Sequence, residues 1–163
     1  MGRDKVAATT AVRELRANKV EFTDHPYEYE EKGGTAASAR ELGVPEHAVV
    51  KTLVMEDEIK RPLVVLMHGD QKVSTRELAR VIGVKTISPC SPETANRHSG
   101  YIVGGTSPFG TRKKMPVYME ESILELPKVY INGGRRGYLV GISPEEVVRV
   151  LAPRMVKVGI KET

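Results

Sequence analysis

Apolar positions recur along this 163-residue chain in two rhythms, one near the helical period and one of two. The helical rhythm comes first over residues 10–18, where Val12 and Leu15 share a face and Asn18 can close the end. It returns in TAASARELG, with Thr35 as the expected N-cap and Gly43 just past the last turn, where a left-handed residue is wanted. Ser74 and Glu77 have the spacing of a capping box ahead of a third helix that Gly83 ends. SPETANRH predicts a short helix with Pro92 at its first position, EESILEL another, and SPEEVVRVL repeats the capping spacing at Ser143 and Glu146 with Pro144 at its start.

The period of two marks the strands. VEFTDHPYEYEE alternates around a proline, as a short edge strand does. VVKTLVMED and RPLVVLMHGD are apolar runs joined by the charged EDEIKR segment, the pattern of an antiparallel hairpin with buried strands. YIVGG, MPVYM, KVYING and YLVGI read as further strands. Six or seven strands and four to five helices, without strict alternation, predict an α+β fold over a parallel doubly wound sheet.

The length fits one compact domain over 1–163, with no repeat, linker or low-complexity segment to divide it. One cysteine, Cys90, rules out an internal disulfide framework, and with no apolar leader it points to the reducing cytoplasm. No run approaches the ~20 apolar residues of a membrane span. The net charge of +4 alone says little, but its distribution says more. Arg112, Lys113 and Lys114 form one cluster and Arg135 and Arg136 a second, each beside a glycine-rich turn. Tryptophan is absent and phenylalanine occurs twice, so contacts to nucleic acid are expected at phosphates more than at stacked bases.

Lys51 stands among apolar neighbours in AVVKTLVM, and two readings are open: an edge position from which the ammonium reaches water, or a pocket wall where it meets a phosphate or carbonyl. GGTSPFG, at 104–110, is a tight turn taken alone; its glycines also let a ligand approach the backbone amides. INGGRRG, at 131–137, repeats the design. Cys90 precedes a helix start, where a thiol can be activated, but a packing role fits better without a nearby histidine. His25, His47, His68 and His98 are scattered without metal-ligand spacing, so no metal or other cofactor is expected. EYEE and EDE read as solvated turns.

Taken in order, HPYEYE, VVKTLV, GYIVGGTSPFGTRKKMPVYM and VYINGGRRG, with the final SPEEVVRVL helix, resemble the YbaK-type aminoacyl-tRNA deacylases, which are related to the editing domain of prolyl-tRNA synthetase. The resemblance runs over residues 8–157 and implies a mixed, largely antiparallel six- to seven-stranded sheet forming a partial barrel, flanked by helices. It implies a pocket for the terminal adenosine and attached amino acid of a mischarged tRNA, with Lys51 as the residue on which activity depends. It places Tyr27 in the pocket lining and gives Gly104 a backbone contact with substrate. Gly105, Thr106, Ser107, Asn132 and Gly133 complete the implied substrate contacts, and Arg112, Lys113, Lys114, Arg135 and Arg136 the phosphate contacts. The implied activity is trans-editing of Cys-tRNA(Pro), in which the cysteinyl thiol attacks its own ester; partners are the tRNA acceptor end and prolyl-tRNA synthetase, with no membrane. The chain departs from the cysteine-specific pattern at two places: Asn132 replaces a serine, and Leu139, near an expected aspartate, cannot bind an ammonium group. Deacylation of another small aminoacyl-tRNA, such as Ala-tRNA(Pro), and a non-catalytic tRNA or synthetase-binding module are the alternatives.

Overall fold

The computed structural model describes residues 9–162. Its strands are β1 (Thr23–Pro26), β2 (Val49–Asp57), β3 (Pro62–His68), β4 (Gln71–Val73), β5 (Ile87–Pro89), β6 (Val117–Glu120), β7 (Val129–Arg135), β8 (Tyr138–Ile142), β9 (Arg154–Val156) and β10 (Gly159–Lys161). Its helices are α1 (Thr10–Ala17), α2 (Gly34–Leu42), α3 (Thr75–Ile82), α4 (Pro92–Ser99) and α5 (Pro144–Leu151), with 3-10 turns at Glu46–Ala48 and Glu121–Glu125. Eight strands form one mixed, mostly antiparallel sheet in the order β1-β8-β7-β2-β3-β6-β9, with β5 on β2; β4 and β10 form a separate pair. The sheet does not close on itself, and helices flank it.

The expected hairpin is present, with Val50 opposite His68 and Met55 opposite Leu63. Its alternation sorts two cores. Val50, Val54, Val64 and Leu66 pack with Val12, Leu15 and Val147 of α1 and α5, while Met55, Leu63, Val65 and Met67 pack with Leu78 of α3 and with Val156 and Val158. Lys51 and Leu53, two and four residues after Val49 and four and two before Met55, share their side of the strand.

Ser74, Ser91 and Ser143 each accept a hydrogen bond from the backbone N–H three residues on, which ties α3, α4 and α5 to their starts. A cap of this kind contributes about 1 kcal/mol. Gly43 and Gly83 are left-handed at the helix ends as expected.

Three expectations fail. Thr35 does not cap α2, which starts from Gly33; its hydroxyl lies 2.7 Å from Glu46 Oε2 and 3.1 Å from Gly69 O, so it ties α2 to the end of β3 instead. YIVGG is not a strand: Gly105 N–H donates to Ile102 O at 2.8 Å, and the Tyr101 hydroxyl donates to Phe109 O at 2.5 Å, folding the stretch into a loop. The strand count was too low because β4, β5, β9 and β10 are three residues each, too short to show a period. Lys51 combines the two readings open for it: β2 lies inside the sheet, but residues 51–53 have β3 on one side only.

Candidate functional site

Along one side of β2, pairing is interrupted. β7 pairs with Val49 and Val50, β5 with Met55, Glu56 and Asp57, and Cys90 N–H reaches Val54 O at 3.1 Å. Between them, residues 51–53 have β3 on one side only, and a cleft of about 590 Å³ opens where β7 and β5 part. Lys51 lines it together with Tyr27, Gly104, Thr106, Asn132 and Arg136. Thr52, also in its wall, holds a buried hydroxyl oxygen that has no hydrogen-bond partner.

Lys51 is 21% exposed at its side chain, and its Nζ lies 3.2 Å from Glu162 Oε2, a residue that follows β10 and does not line the cleft. The strongest expected cation therefore stands at the cleft wall with a counter-ion outside it. Tyr27 adds an aromatic wall; burial pushes its hydroxyl pKa above the ordinary range, against a hydrogen bond with Ser38 and another with Gly137. The neighbouring floor is apolar: Leu139 is buried against Val49 and Ala39.

The loop at 101–106 is held against the β7–β8 hairpin by two side chains that bond to its carbonyls. Asn132 Nδ2 donates to Gly104 O at 3.2 Å, and Arg136 Nε donates to Val103 O at 2.8 Å. Asn132 Oδ1 in turn accepts from Gly134 N–H at 2.6 Å and Arg135 N–H at 3.1 Å, which fixes the bulge between Asn132 and Arg135. Glycine is required at both loop positions. Gly104 has φ +88°, and a Cβ there would stand 2.5 Å from the Tyr29 hydroxyl; at Gly105 it would stand 2.8 Å from Arg136 N.

Other expected site residues have different places. Ser107 is buried, its hydroxyl accepting from Phe109 N–H at 3.2 Å, and Gly133 lies against the Tyr138 ring. Arg112, Lys113 and Lys114 are exposed outside the cleft, their strand of loop anchored to the end of α4 through Arg112 N–H to Ser99 O and Lys113 N–H to His98 O. Arg135 is exposed with its guanidinium 5.4 Å from the Tyr138 ring centre.

Cys90 lines the cleft, but burial and the Glu56 carboxylate push its thiol up to about 11, so it stays protonated at neutral pH. The histidines are less scattered than their spacing suggested. His47 and His68 stack at 3.7 Å, and Asp70 lies 2.9 Å from His47 Nδ1. His68 Nδ1 donates to His47 O at 2.8 Å, which leaves Nε2 to accept from the Ser122 hydroxyl at 2.7 Å. Both ring nitrogens are thus occupied, and parallel rings aim their lone pairs side by side rather than at one ion. None of the histidines lines the cleft.

Tyr29, Thr52 and Val103 are cleft residues that sequence reasoning did not select, although all three stand inside the quoted motifs. Their neighbours Tyr27, Lys51 and Gly104 were the better-marked members of each motif.

Residues 30–150 match the model of the aminoacyl-tRNA editing domain. The chain is 27% identical over 155 residues, 94% of each protein, to EbsC of Enterococcus faecalis, named as a candidate Cys-tRNA(Pro)/Cys-tRNA(Cys) deacylase. It is also 30% identical over 105 residues to proline–tRNA ligase of Thermodesulfovibrio yellowstonii, covering 63% of this chain and 18% of that one. A solved structure described as a candidate trans-editing enzyme for prolyl-tRNA synthetase superposes with a TM-score of 0.79 at 22% identity, covering 96% of this chain and 99% of the other, and so shares the fold. With the matched segment spanning the cleft from Glu30 to beyond Leu139, the chain belongs to the aminoacyl-tRNA editing domain family.

Proposed function

We propose that this protein releases the amino acid from mischarged tRNA in trans, with Cys-tRNA(Pro) as its principal substrate. The observation that carries the reading is the cleft at the parting of β7 and β5, where Lys51 shares a wall with Tyr27, Gly104 and Asn132. The names of the relatives, one a candidate Cys-tRNA(Pro)/Cys-tRNA(Cys) deacylase and one a proline–tRNA ligase, support the choice of substrate. Such a substrate places the protein in the cytoplasm, beside prolyl-tRNA synthetase.

The chemistry rests on the substrate's own thiol. Cleft-lining nucleophiles are poorly placed for attack: Cys90 is protonated, and no histidine lines the cleft to act as base among the described residues. The cysteinyl sulfur adds to its ester carbonyl, the bond from that carbonyl to the ribose oxygen breaks, and the proton of the thiol ends on the ribose oxygen. The products are a thiolactone and free tRNA. Lys51 supplies positive charge for the oxyanion that forms, and the pinned loop at 101–106 holds the ester against it. The exposed cations at Arg112, Lys113 and Lys114 take phosphates of the acceptor strand.

One feature favours a second reading. The floor at Leu139 is apolar, which suits a small aliphatic side chain such as alanine, released by water. Release of amino acid from tRNA for proline, charged separately with cysteine, alanine and proline, separates the two. Rapid, Lys51-dependent loss of cysteine with appearance of a thiolactone is expected; selective loss of alanine supports the second reading, and loss of neither overturns both.

A further inference from the structure

The cations of this chain are unevenly placed. β4 with α3, and β9 with β10 and Glu162, span residues 71–82 and 154–162 and hold Lys72, Arg76, Arg80, Arg154, Lys157 and Lys161 against two carboxylates, Glu77 and Glu162. Their net charge of +4 equals that of the whole chain, and all six cations are exposed. Arg80 is bound to Glu77, and Glu162 to Lys51, whereas Lys72, Arg76, Lys157 and Lys161 enter no ion pair among the described residues.

The fold gathers these cations on one face. β10 pairs antiparallel with β4, Ile160 opposite Lys72. Ser74 N–H, between β4 and α3, donates to Val158 O at 2.8 Å. Lys72 and Arg76, each two residues from Ser74, therefore stand beside Lys157, which precedes Val158. Near the other end of α3, Arg154 Nη2 donates to Val81 O at 3.3 Å. Leu78 and Ala79 of α3 are buried with Val156 and Val158, which turns Arg76, Arg80 and Lys157 to solvent. β10 runs on into Glu162, 3.2 Å from Lys51, so the face adjoins the wall of the cleft.

Charge and composition together select the occupant. No residue of β4, α3, β9 or β10 is aromatic, so the face has nothing on which an unpaired base could stack and meets a polyanion through its charges alone. Base-paired RNA presents such a surface, its phosphates outward and its bases turned in. An anionic bilayer is a poorer match, because Ile160 is the one large apolar side chain exposed on these elements and gives lipid little to take up.

We infer that the face formed by β4, α3, β9 and β10 docks a base-paired RNA stem by its phosphates. The inference rests on the proposed tRNA substrate, and it seats the double-stranded part of that substrate next to Lys51, apart from the loop that carries Arg112, Lys113 and Lys114.

The test measures binding against salt concentration for an uncharged RNA hairpin with four unpaired 3′ nucleotides, beside a single-stranded RNA of the same length. A Lys72→Gln, Arg76→Gln, Lys157→Gln variant is compared with wild type and with a Lys19→Gln, Lys60→Gln, Lys128→Gln control that removes the same charge from other elements. The first variant should lower the salt slope for the hairpin by about two to three, since each lost phosphate contact removes about one, and should weaken hairpin binding by more than about tenfold at low salt. The control should keep the wild-type slope, and the single-stranded RNA should bind all three proteins alike. All three substitutions of the first variant are at exposed positions and should leave thermal unfolding unchanged. A hairpin slope equal to that of the control, or an equal loss for the single-stranded RNA, overturns the assignment. Sedimentation with phosphatidylserine-containing vesicles that the first variant loses, with its hairpin slope unchanged, would overturn it in favour of a lipid surface. Absence of amino-acid release from every charged tRNA, with the change of slope present, would uphold the docking face and fault the deacylase reading instead.

Discussion

Lys51 and Glu162, 111 positions apart, are paired at 3.2 Å, so the cation on which the proposed chemistry depends is held at rest by a carboxylate outside the cleft. Glu162 is 50% exposed, and a pair of this kind is worth about 0–1 kcal/mol, which lets a substrate oxyanion or phosphate displace it. Lys51→Ala should lower the rate of ester release by about a hundredfold or more while leaving the urea midpoint nearly unchanged. Glu162→Gln should raise kcat/KM by up to about fivefold, the factor that 1 kcal/mol represents. Full activity in a folded Lys51→Ala protein removes this lysine from the mechanism, and a fall in kcat for Glu162→Gln would mean that the carboxylate positions Lys51 instead of competing for it.

Gly105→Ala tests the seat of the loop. The new methyl would meet the backbone of Arg135 and Arg136, at 2.9 and 2.8 Å, and backbone cannot swing aside as a long side chain would. The loop must lift, stretching the bonds from Asn132 and Arg136, at a cost of about 1–3 kcal/mol. Denaturant unfolding gives the stability change, and release of amino acid should fall more than tenfold at a temperature where the variant is fully folded.

Cys90→Ala should keep deacylation within about twofold of wild type, since a thiol with a pKa near 11 offers almost no thiolate at neutral pH. Alkylation by iodoacetamide, followed by mass spectrometry, should be slow at pH 8 and accelerate toward pH 11. Rapid labelling at pH 7 would show a thiolate and reopen a covalent route through the protein.

His68 predicts a pH dependence of stability. It is fully buried, and burial, the largest influence, lowers its pKa from the ordinary value of 6.5, with the facing His47 adding to this and Asp70, Glu120 and the bond to His47 O opposing it. Below about 6.5 the unfolded chain takes up a proton that the fold refuses, so the unfolded state binds more protons and stability falls as pH falls. Urea unfolding measured from pH 7 to 5 should show that decline, and His68→Gln should show a shallower one. The residual slope belongs to other groups whose pKa values are also lowered, His25 and His98 and, toward pH 5, carboxylates such as Glu58 and Glu77. Equal slopes in both proteins would relieve His68 of this role.

The long elements were legible because several signals agreed at each. Ser143, Pro144 and Glu146 mark the start of α5 three times over, and the hairpin of β2 and β3 is written in two unbroken apolar runs. YIVGG misled because its apolar residues serve two purposes: Tyr101 is buried and bonded to Phe109 O, while Ile102 and Val103 face solvent. No local rule separates those roles, since burial is decided by the β7–β8 hairpin some 30 positions later. Thr35 misled for a related reason, as its hydroxyl found Glu46 and Gly69 in place of its own helix. The cleft could not be read at all from periodicity, because it is defined by where two strands distant in sequence leave β2.

The bonds that seat the lip of the cleft end on main-chain oxygens, those of Val103 and Gly104. Every amino acid supplies a carbonyl, so the side chain at 103 can be exchanged without withdrawing an acceptor from Arg136 or Asn132. The bonds that fix the course of the loop are thereby independent of the side chain that the loop presents at 103. A descendant chain could change the surface of this lip by single substitutions at 103, long before any change in the bonds that seat it became necessary.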